Sequence, residues 1–241
     1  MDLPQHTPLG EATSAGDYLR IVLNKRPEGS ESGWMFRGQC DAGTPPVPKI
    51  DRPNYAAYRL ARGWPRQKHE ERLLSEFQRG ARPHVRVEPR GRWEWLAVAQ
   101  HHGLATRLLD WTANPMAALY FAVEREDCAG PSAVWCYHHQ GDAWTPGVWT
   151  SPFKIRGVTE FRPAHLTPRI TVQGGCFTAH PDPLPSVVAI WPGDLRLIKI
   201  PVRLRSRLRD DLRKLGVDRA ALFPDLDGIA VSLNRRFCGE P

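Results

Sequence analysis

The chain has 241 residues, 41% of them apolar and 24% charged, the balance of a soluble globular protein with a sizeable core. No apolar run approaches the roughly 18 residues of a bilayer-crossing helix, and MDLPQHTPLGEATSAG lacks the basic and apolar regions of a secretory leader. A formal charge of +7, carried largely by arginine, favours partners that bear phosphate or carboxylate, such as nucleic acid or an acidic protein.

The five cysteines are odd in number and show no C-x-x-C spacing, so reduced thiols in a cytoplasmic compartment are expected and a zinc ribbon is disfavoured. In chain order, Ser14 and Asp17 form an S-x-x-D start, and Tyr18, Ile21 and Val22 give residues 15–26 a helical stripe. WMFRGQ at 34–39 alternates as a strand. Residues 41–66, rich in Pro, Gly and Arg, read as irregular. KHEERLLSEFQRGA is an amphipathic helix, and WEWLAVAQHHG is another, stopped by Gly103. LATRLLDW is extended, and Asn114 then caps a largely buried helix with Pro115 in its first turn.

From 133 onward strands dominate: AVWCYH, VVAIW, LRLIKIPV and part of RITVQGGCFTAH, with a bend or bulge at Gly174-Gly175. SRLRDDLRKLG is a helix with Gly216 as its stop. PDLDGIAVSLNRRF is a last helix, with Leu226, Ile229, Ala230, Leu233 and Phe237 on one stripe. Helices at both ends and strands between them predict one α+β domain with a central mixed or antiparallel sheet.

Two groups of residues carry chemistry. Arg37, on a strand and followed by Gly38, can present its guanidinium to a phosphate or carboxylate ligand, or pair with an internal acid such as Asp110. Thr106, Asp110 and Thr112 share one face of the extended run, and Arg107 and Trp111 share the other. The pairs His101-His102 and His138-His139 are adjacent in sequence, so neither pair can grip one metal from one face, and no metal site is expected. P-loop, G-x-S-x-G, H-E-x-x-H and G-x-G-x-x-G motifs are absent.

FRGQ at 36–39, WEWLAVAQHHGLATRLLDWTANPMAALYFAV at 93–123, RITVQGGCFTAH at 169–180 and LFPDLDGIA at 222–230 together closely resemble the FRG domain. The resemblance covers residues 34–231, leaving 1–33 as an N-terminal helical lead and 232–241 as a C-terminal tail. Ala105 stands where members of the family usually carry proline.

A more distant resemblance links Phe36-Arg37-Gly38, and Asp110-Trp111-Thr112 with the helix after it, to ADP-ribosyltransferases and their split sheet. That resemblance implies NAD as co-substrate, with Arg37 on the pyrophosphate and Thr112 on the ribose or the nicotinamide amide. It makes Tyr120 or Phe121 a wall of the nicotinamide pocket. Gly38, Gln100, His101, Thr106, Arg107, Asp110 and Trp111 would build the surrounding polar site. Gln173 would face the reacting ribose, where those enzymes carry a glutamate; Glu160 or Glu124 would then supply the acid. The implied role is a bacterial toxin or anti-phage effector acting on a nucleic acid or acidic protein, with a neutralising or sensor partner. A non-catalytic nucleotide or nucleic-acid binding module and a metal-dependent nuclease or hydrolase are the alternatives.

Overall fold

Seven strands form one mixed sheet in the computed structural model, which describes residues 8–24, 34–85, 87–138, 150–163, 175–182 and 195–239. They are β1 (Pro8–Glu11), β2 (Trp34–Gln39), β3 (Leu108–Thr112), β4 (Ser132–His138), β5 (Thr159–Phe161), β6 (Gly175–Ala179) and β7 (Arg196–Ile200). Their order is β1-β7-β4-β2-β3-β6-β5, with only the β1–β7 pair parallel. The described helices are α1 (Ala15–Asn24), α2 (Pro53–Leu60), α3 (Arg66–Ala81), α4 (Gly91–His101), α5 (Pro115–Val123), α6 (Arg205–Lys214), α7 (Arg219–Leu222) and α8 (Leu226–Phe237). This is the α+β architecture the sequence predicts.

One irregularity in the sheet matters most. β2 pairs with β4 over its whole length and β3 with β6 likewise, but β2 and β3 share the single register position Phe36↔Thr112. The sheet therefore consists of two halves, β1-β7-β4-β2 and β3-β6-β5, joined at one rung, and a gap opens beyond it.

Side-chain alternation puts apolar residues on both faces. Tyr18, Phe36, Leu119, Ile198 and Leu208 form a core under α1, α5 and α6. A second cluster packs Leu74, Trp93 and Leu96 of α3 and α4 on Leu108, Phe161 and Phe177. Met35, Leu109, Trp111, Trp135 and Tyr137 form a third, on the alternate side chains of the same strands.

Local chemistry explains the helix ends. The Asn114 side-chain Oδ1 accepts from the Met116 and Ala117 amides at 2.9 and 3.3 Å, and Pro115 follows at the first helical position. Ser14 accepts from the Asp17 amide at 3.0 Å, and Gly103 and Gly216 take φ of +84° and +75° after α4 and α6.

Gly38 has an ordinary φ, so its role is not an unusual backbone conformation. A Cβ there would stand 2.0 Å from the Ala118 carbonyl oxygen and 2.6 Å from the Ala122 nitrogen. The glycine lets α5 rest on the β2 backbone, and the alanines of α5 complete that contact.

Some expectations change. The segment 41–66 contains α2 and a short turn of helix at Lys49–Asp51; only Ala56 of α2 is buried, so its apolar stripe is too weak to read. β1 and β5 are short edge strands with no period of their own. VVAIW, Gly174 and the RITVQ half of its run lie outside the described residues.

The cysteine expectation is corrected: Cys40 and Cys128 form a disulfide, while Cys136, Cys176 and Cys238 stay outside any disulfide. The pairing of β2 with β4 brings together cysteines that stand 88 positions apart, a proximity that spacing hides. Buried Arg205 draws the same segments together by donating to the Cys40, Cys128 and Gly130 carbonyls and to Ser132 Oγ.

Two measurements follow. Thiol titration of the unfolded protein should find three reactive thiols without reductant and five with it; five in both cases would refute the bridge. Gly38→Ala should cost about 3 kcal/mol by chemical denaturation, because backbone rather than a flexible side chain blocks the methyl. A loss under ~1 kcal/mol would show that α5 can move aside.

Candidate functional site

A cleft of about 750 Å³ opens at the gap between β2 and β3. Its walls are the end of β2 and the loop after it, the turn before α2, the last turn of α4, β3, and the end of α5. Gln39 shapes the loop by donating to the Asp41 and Thr44 carbonyls at 2.9 and 2.6 Å. Lys49 ties this segment to α4 by donating to the Gly103 carbonyl at 2.6 Å.

Arg37 lies in the gap. Its Nη1 donates to the Asp110 carbonyl at 2.9 Å and stands 3.5 Å from the Asp110 carboxylate. The side chain thus reaches a carbonyl just where the backbone ladder ends. Nε is buried and has no hydrogen-bond acceptor among the described residues. Burial lowers the affinity of this guanidinium for its proton, and the Asp110 charge opposes that.

Behind Arg37 runs a directed set of bonds. Thr106 Oγ1 accepts from the Leu108 amide at 3.1 Å and donates to Gln100 Oε1 at 2.6 Å. Gln100 Nε2 then donates to Asp110 Oδ2 at 2.7 Å. Gln100 and Asp110 line the cleft, whereas Thr106 supports them from a buried position. Thr112 lines the cleft and its hydroxyl accepts from the Asn114 amide at 3.0 Å. His101 and Phe121 are also in the wall.

Other predicted residues go elsewhere. Arg107 does not line the cleft. It is fully buried and donates to Glu70 from Nε at 3.0 Å and from Nη2 at 2.5 Å, and to the Pro152 carbonyl at 2.9 Å. Its fork is satisfied inside the protein, so it fastens α3 to the start of β3. Trp111 borders the cleft, but its indole N–H donates to Thr178 at 2.9 Å and its ring meets Tyr137 edge-on.

Tyr120 faces a second cleft of about 590 Å³ between α5 and α6–α8, where its hydroxyl accepts from Arg235 at 3.5 Å. Neighbouring helical residues diverge by about 100°, so Phe121 and Tyr120 point into different clefts. Glu160 is also not in the wall. It sits on edge strand β5 opposite Thr178, where, after burial itself and Cys176, it helps push the Tyr137 hydroxyl up. Gln173 lies outside the described residues. Gly38 borders the cleft, and its missing Cβ serves helix packing.

Sequence reasoning passed over Glu70, Arg66 and Asp51. Arg66 stands 2.8 Å from Asp51 and 3.6 Å from Glu70, so the charges Asp51, Arg66, Glu70 and Arg107 alternate through the interior. Asp51 borders the cleft, and burial pushes its carboxyl up to about 6 against the pull of Arg66. Glu124 borders both clefts and stands 3.8 Å from Arg219; burial raises its carboxyl too.

Glu70→Gln should cost about 3–5 kcal/mol in chemical denaturation, because Arg107 stays buried without its counter-charge. Asp110→Asn should cost under ~1 kcal/mol, since that carboxylate is 52% exposed. Equal losses in the two variants would contradict the division between a structural and a cleft-facing ion pair.

Residues 32–129 match the family model of the FRG domain. No curated protein matches the sequence, and no solved structure does. The match includes the FRGQ strand and the segment from α4 to α5, and stops short of RITVQGGCFTAH and LFPDLDGIA, which the sequence resemblance also took in. The gap, the glycine under α5 and the arginine held by Asp110 are thus features of an FRG domain, which this chain carries at residues 32–129.

Proposed function

We propose that the cleft binds NAD and that the protein is an ADP-ribosyltransferase-like FRG-domain protein, a toxin or anti-phage effector that modifies a nucleic acid or an acidic protein. The observation that carries this reading is the buried Nε of Arg37, without an acceptor among the described residues, on a side chain that borders a cleft of nucleotide size. A buried charged donor without a partner is costly, and an anionic oxygen relieves that cost.

The residues present fit such a ligand. Arg37 would hold the pyrophosphate, Thr112 and Gln100 offer polar contacts, and Phe121 offers an aromatic wall. NAD, when bound, supplies a glycosidic bond whose breaking leaves positive charge on ribose, and a carboxylate nearby stabilises that charge. Of the two glutamates considered for that role, Glu124 borders the cleft and Glu160 does not. Because burial raises Glu124, it becomes an effective carboxylate only as pH rises through its elevated pKa, and activity should rise with it.

NAD titration followed by calorimetry tests the binding. Arg37→Ala should weaken affinity by about 10- to 100-fold, the value of a charged hydrogen bond. Glu124→Gln should keep the binding and lose the transfer of label from NAD to macromolecules of a cell lysate. Absence of NAD binding by the wild-type protein would end this reading.

The runner-up is a non-catalytic nucleotide or polynucleotide binding module. It is favoured by the ion pair that already occupies Glu124. Its mark is binding that weakens steeply with salt and no turnover of NAD. The metal-dependent nuclease has less behind it: among the described residues no group of three or more His, Cys, Asp or Glu side chains is placed to hold a metal ion.

A further inference from the structure

The corner between α2 and α3 carries a group of side chains outside the cleft. Tyr58 near the end of α2, Trp64 in the turn and His69 on α3 lie ring beside ring. Centroids are 6.0 Å apart for Tyr58 and Trp64, 6.2 Å for Tyr58 and His69, and 5.9 Å for Trp64 and His69. Two arginines lie over these rings: Arg62 stands 3.6 Å from the centre of Tyr58, and Arg72 stands 5.4 Å from that of Trp64. A like pairing recurs nearer the cleft, where Lys49 is 5.0 Å from the centre of Tyr55.

Core packing does not account for this corner. Tyr58 is 53% exposed, and Arg62, Lys68 and Arg72 are exposed as well. His69 is buried; burial, with the charge of Arg59 behind it, lowers its basicity, so it contributes a neutral ring. The acids of the stretch are withdrawn. Glu70 is buried against Arg107 and Arg66, and Glu71 is half-buried and accepts from Gln67 at 3.1 Å. Between Arg52 and Arg72, therefore, cations and rings reach the surface and no carboxylate is exposed. The arginines of α6 differ, since Arg209 and Arg213 sit beside Glu126 and Asp210.

We propose that this corner binds a single-stranded nucleic acid, with bases stacked on Tyr58, Trp64 and the Arg62 guanidinium and phosphates held by Lys68 and Arg72. Lys68 and Arg72 share a face of α3 at i and i+4. The rings select this occupant. An acidic protein would engage the cations alone, whereas every base has a π face that stacks on a ring or on a guanidinium. A duplex keeps its bases stacked on one another, so rings at a protein surface reach them in a single strand. The place fits the cleft. Arg52 at the start of α2 lines it, and Tyr58 follows about 9 Å further along the helix. Tyr55, Tyr58 and Arg62 fall at i, i+3 and i+7, one stripe leading away from the cleft mouth. Nucleic acid is thereby chosen over acidic protein as the macromolecule of the reading above, and only the later fate of the strand rests on that reading.

Fluorescence anisotropy of labelled oligonucleotides, titrated with the full chain in the absence of NAD, is the test. Oligodeoxythymidylate and oligouridylate should bind at low salt and weaken as salt rises; the tighter of the two names the natural sugar. A duplex of the same length should bind at least about tenfold less tightly. Tyr58→Ala should weaken binding about 5- to 100-fold, the value of one stacked base, with an unchanged circular dichroism spectrum. Tyr58→Phe keeps the ring and should bind as the wild type does. Arg72→Ala should lower the salt slope by about 0.7, and Arg213→Ala should change nothing. A duplex bound as tightly as the single strand overturns the proposal, as does a Tyr58→Ala variant that binds like the wild type or a Tyr58→Phe variant that binds no better than Tyr58→Ala. Polyglutamate that displaces the strand at equal charge concentration would assign the corner to an acidic protein and overturn it too. Because NAD is absent, failure here leaves the NAD reading standing, and a protein that binds the strand but not NAD ends that reading alone.

Discussion

The cleft depends on one close contact between backbones. α5 lies on β2 at a distance that no Cβ at position 38 would permit, since the Ala118 carbonyl oxygen already occupies that space. Side chains alternate along a strand, so a glycine facing α5 puts its two neighbours on the other side. Phe36, two positions away, shares the face of Gly38 and packs in the core with α5. Arg37 between them is directed away from α5 and into the gap beside β3. The Phe-Arg-Gly triplet thus combines an apolar anchor, a charged group and a site of helix contact in three consecutive positions. Moving any one of them along the strand would exchange its face for the wrong one.

The second constraint is the alternating chain Asp51, Arg66, Glu70 and Arg107. Four charges withdrawn from water are tolerated only because each neighbours the opposite sign. Apolar side chains of similar volume could offer comparable stability, so the chain is better understood as a device for position. It fastens the turn before α2 to α3, and α3 to the start of β3. It reaches the cleft at Asp51, whose raised carboxyl shows that its partners do not fully offset burial.

What could be read from the sequence was local. Asn114-Pro115, Gly103 and Gly216 act within one turn of chain, so their caps were legible, as were the alternation of WMFRGQ and the stripes of α3 and α5. Contacts that span the chain were not. The partner of Arg107 is 37 positions away on a helix whose charged residues look like an ordinary solvated face. The Cys40–Cys128 bridge became visible only once β2 was known to pair with β4. Tyr120 and Phe121 could not be told apart before the orientation of α5 was set. For α8, the period identified an apolar stripe correctly but held no information on what covers it.

The polar set behind the cleft follows from the same economy. The Leu108 amide donates to the Thr106 hydroxyl, which commits the hydroxyl hydrogen to Gln100 Oε1. Gln100 must then turn its amide nitrogen to Asp110, whose Oδ2 accepts it. The direction of every bond is inherited from one backbone amide, so the negative charge beside Arg37 is held in place before any ligand arrives. Arg37 engages Asp110 through Nη1, and its unsatisfied Nε is a separate atom. An anion that takes Nε therefore need not displace Asp110. The carboxylate that keeps Arg37 charged and aimed can remain in place while the guanidinium binds.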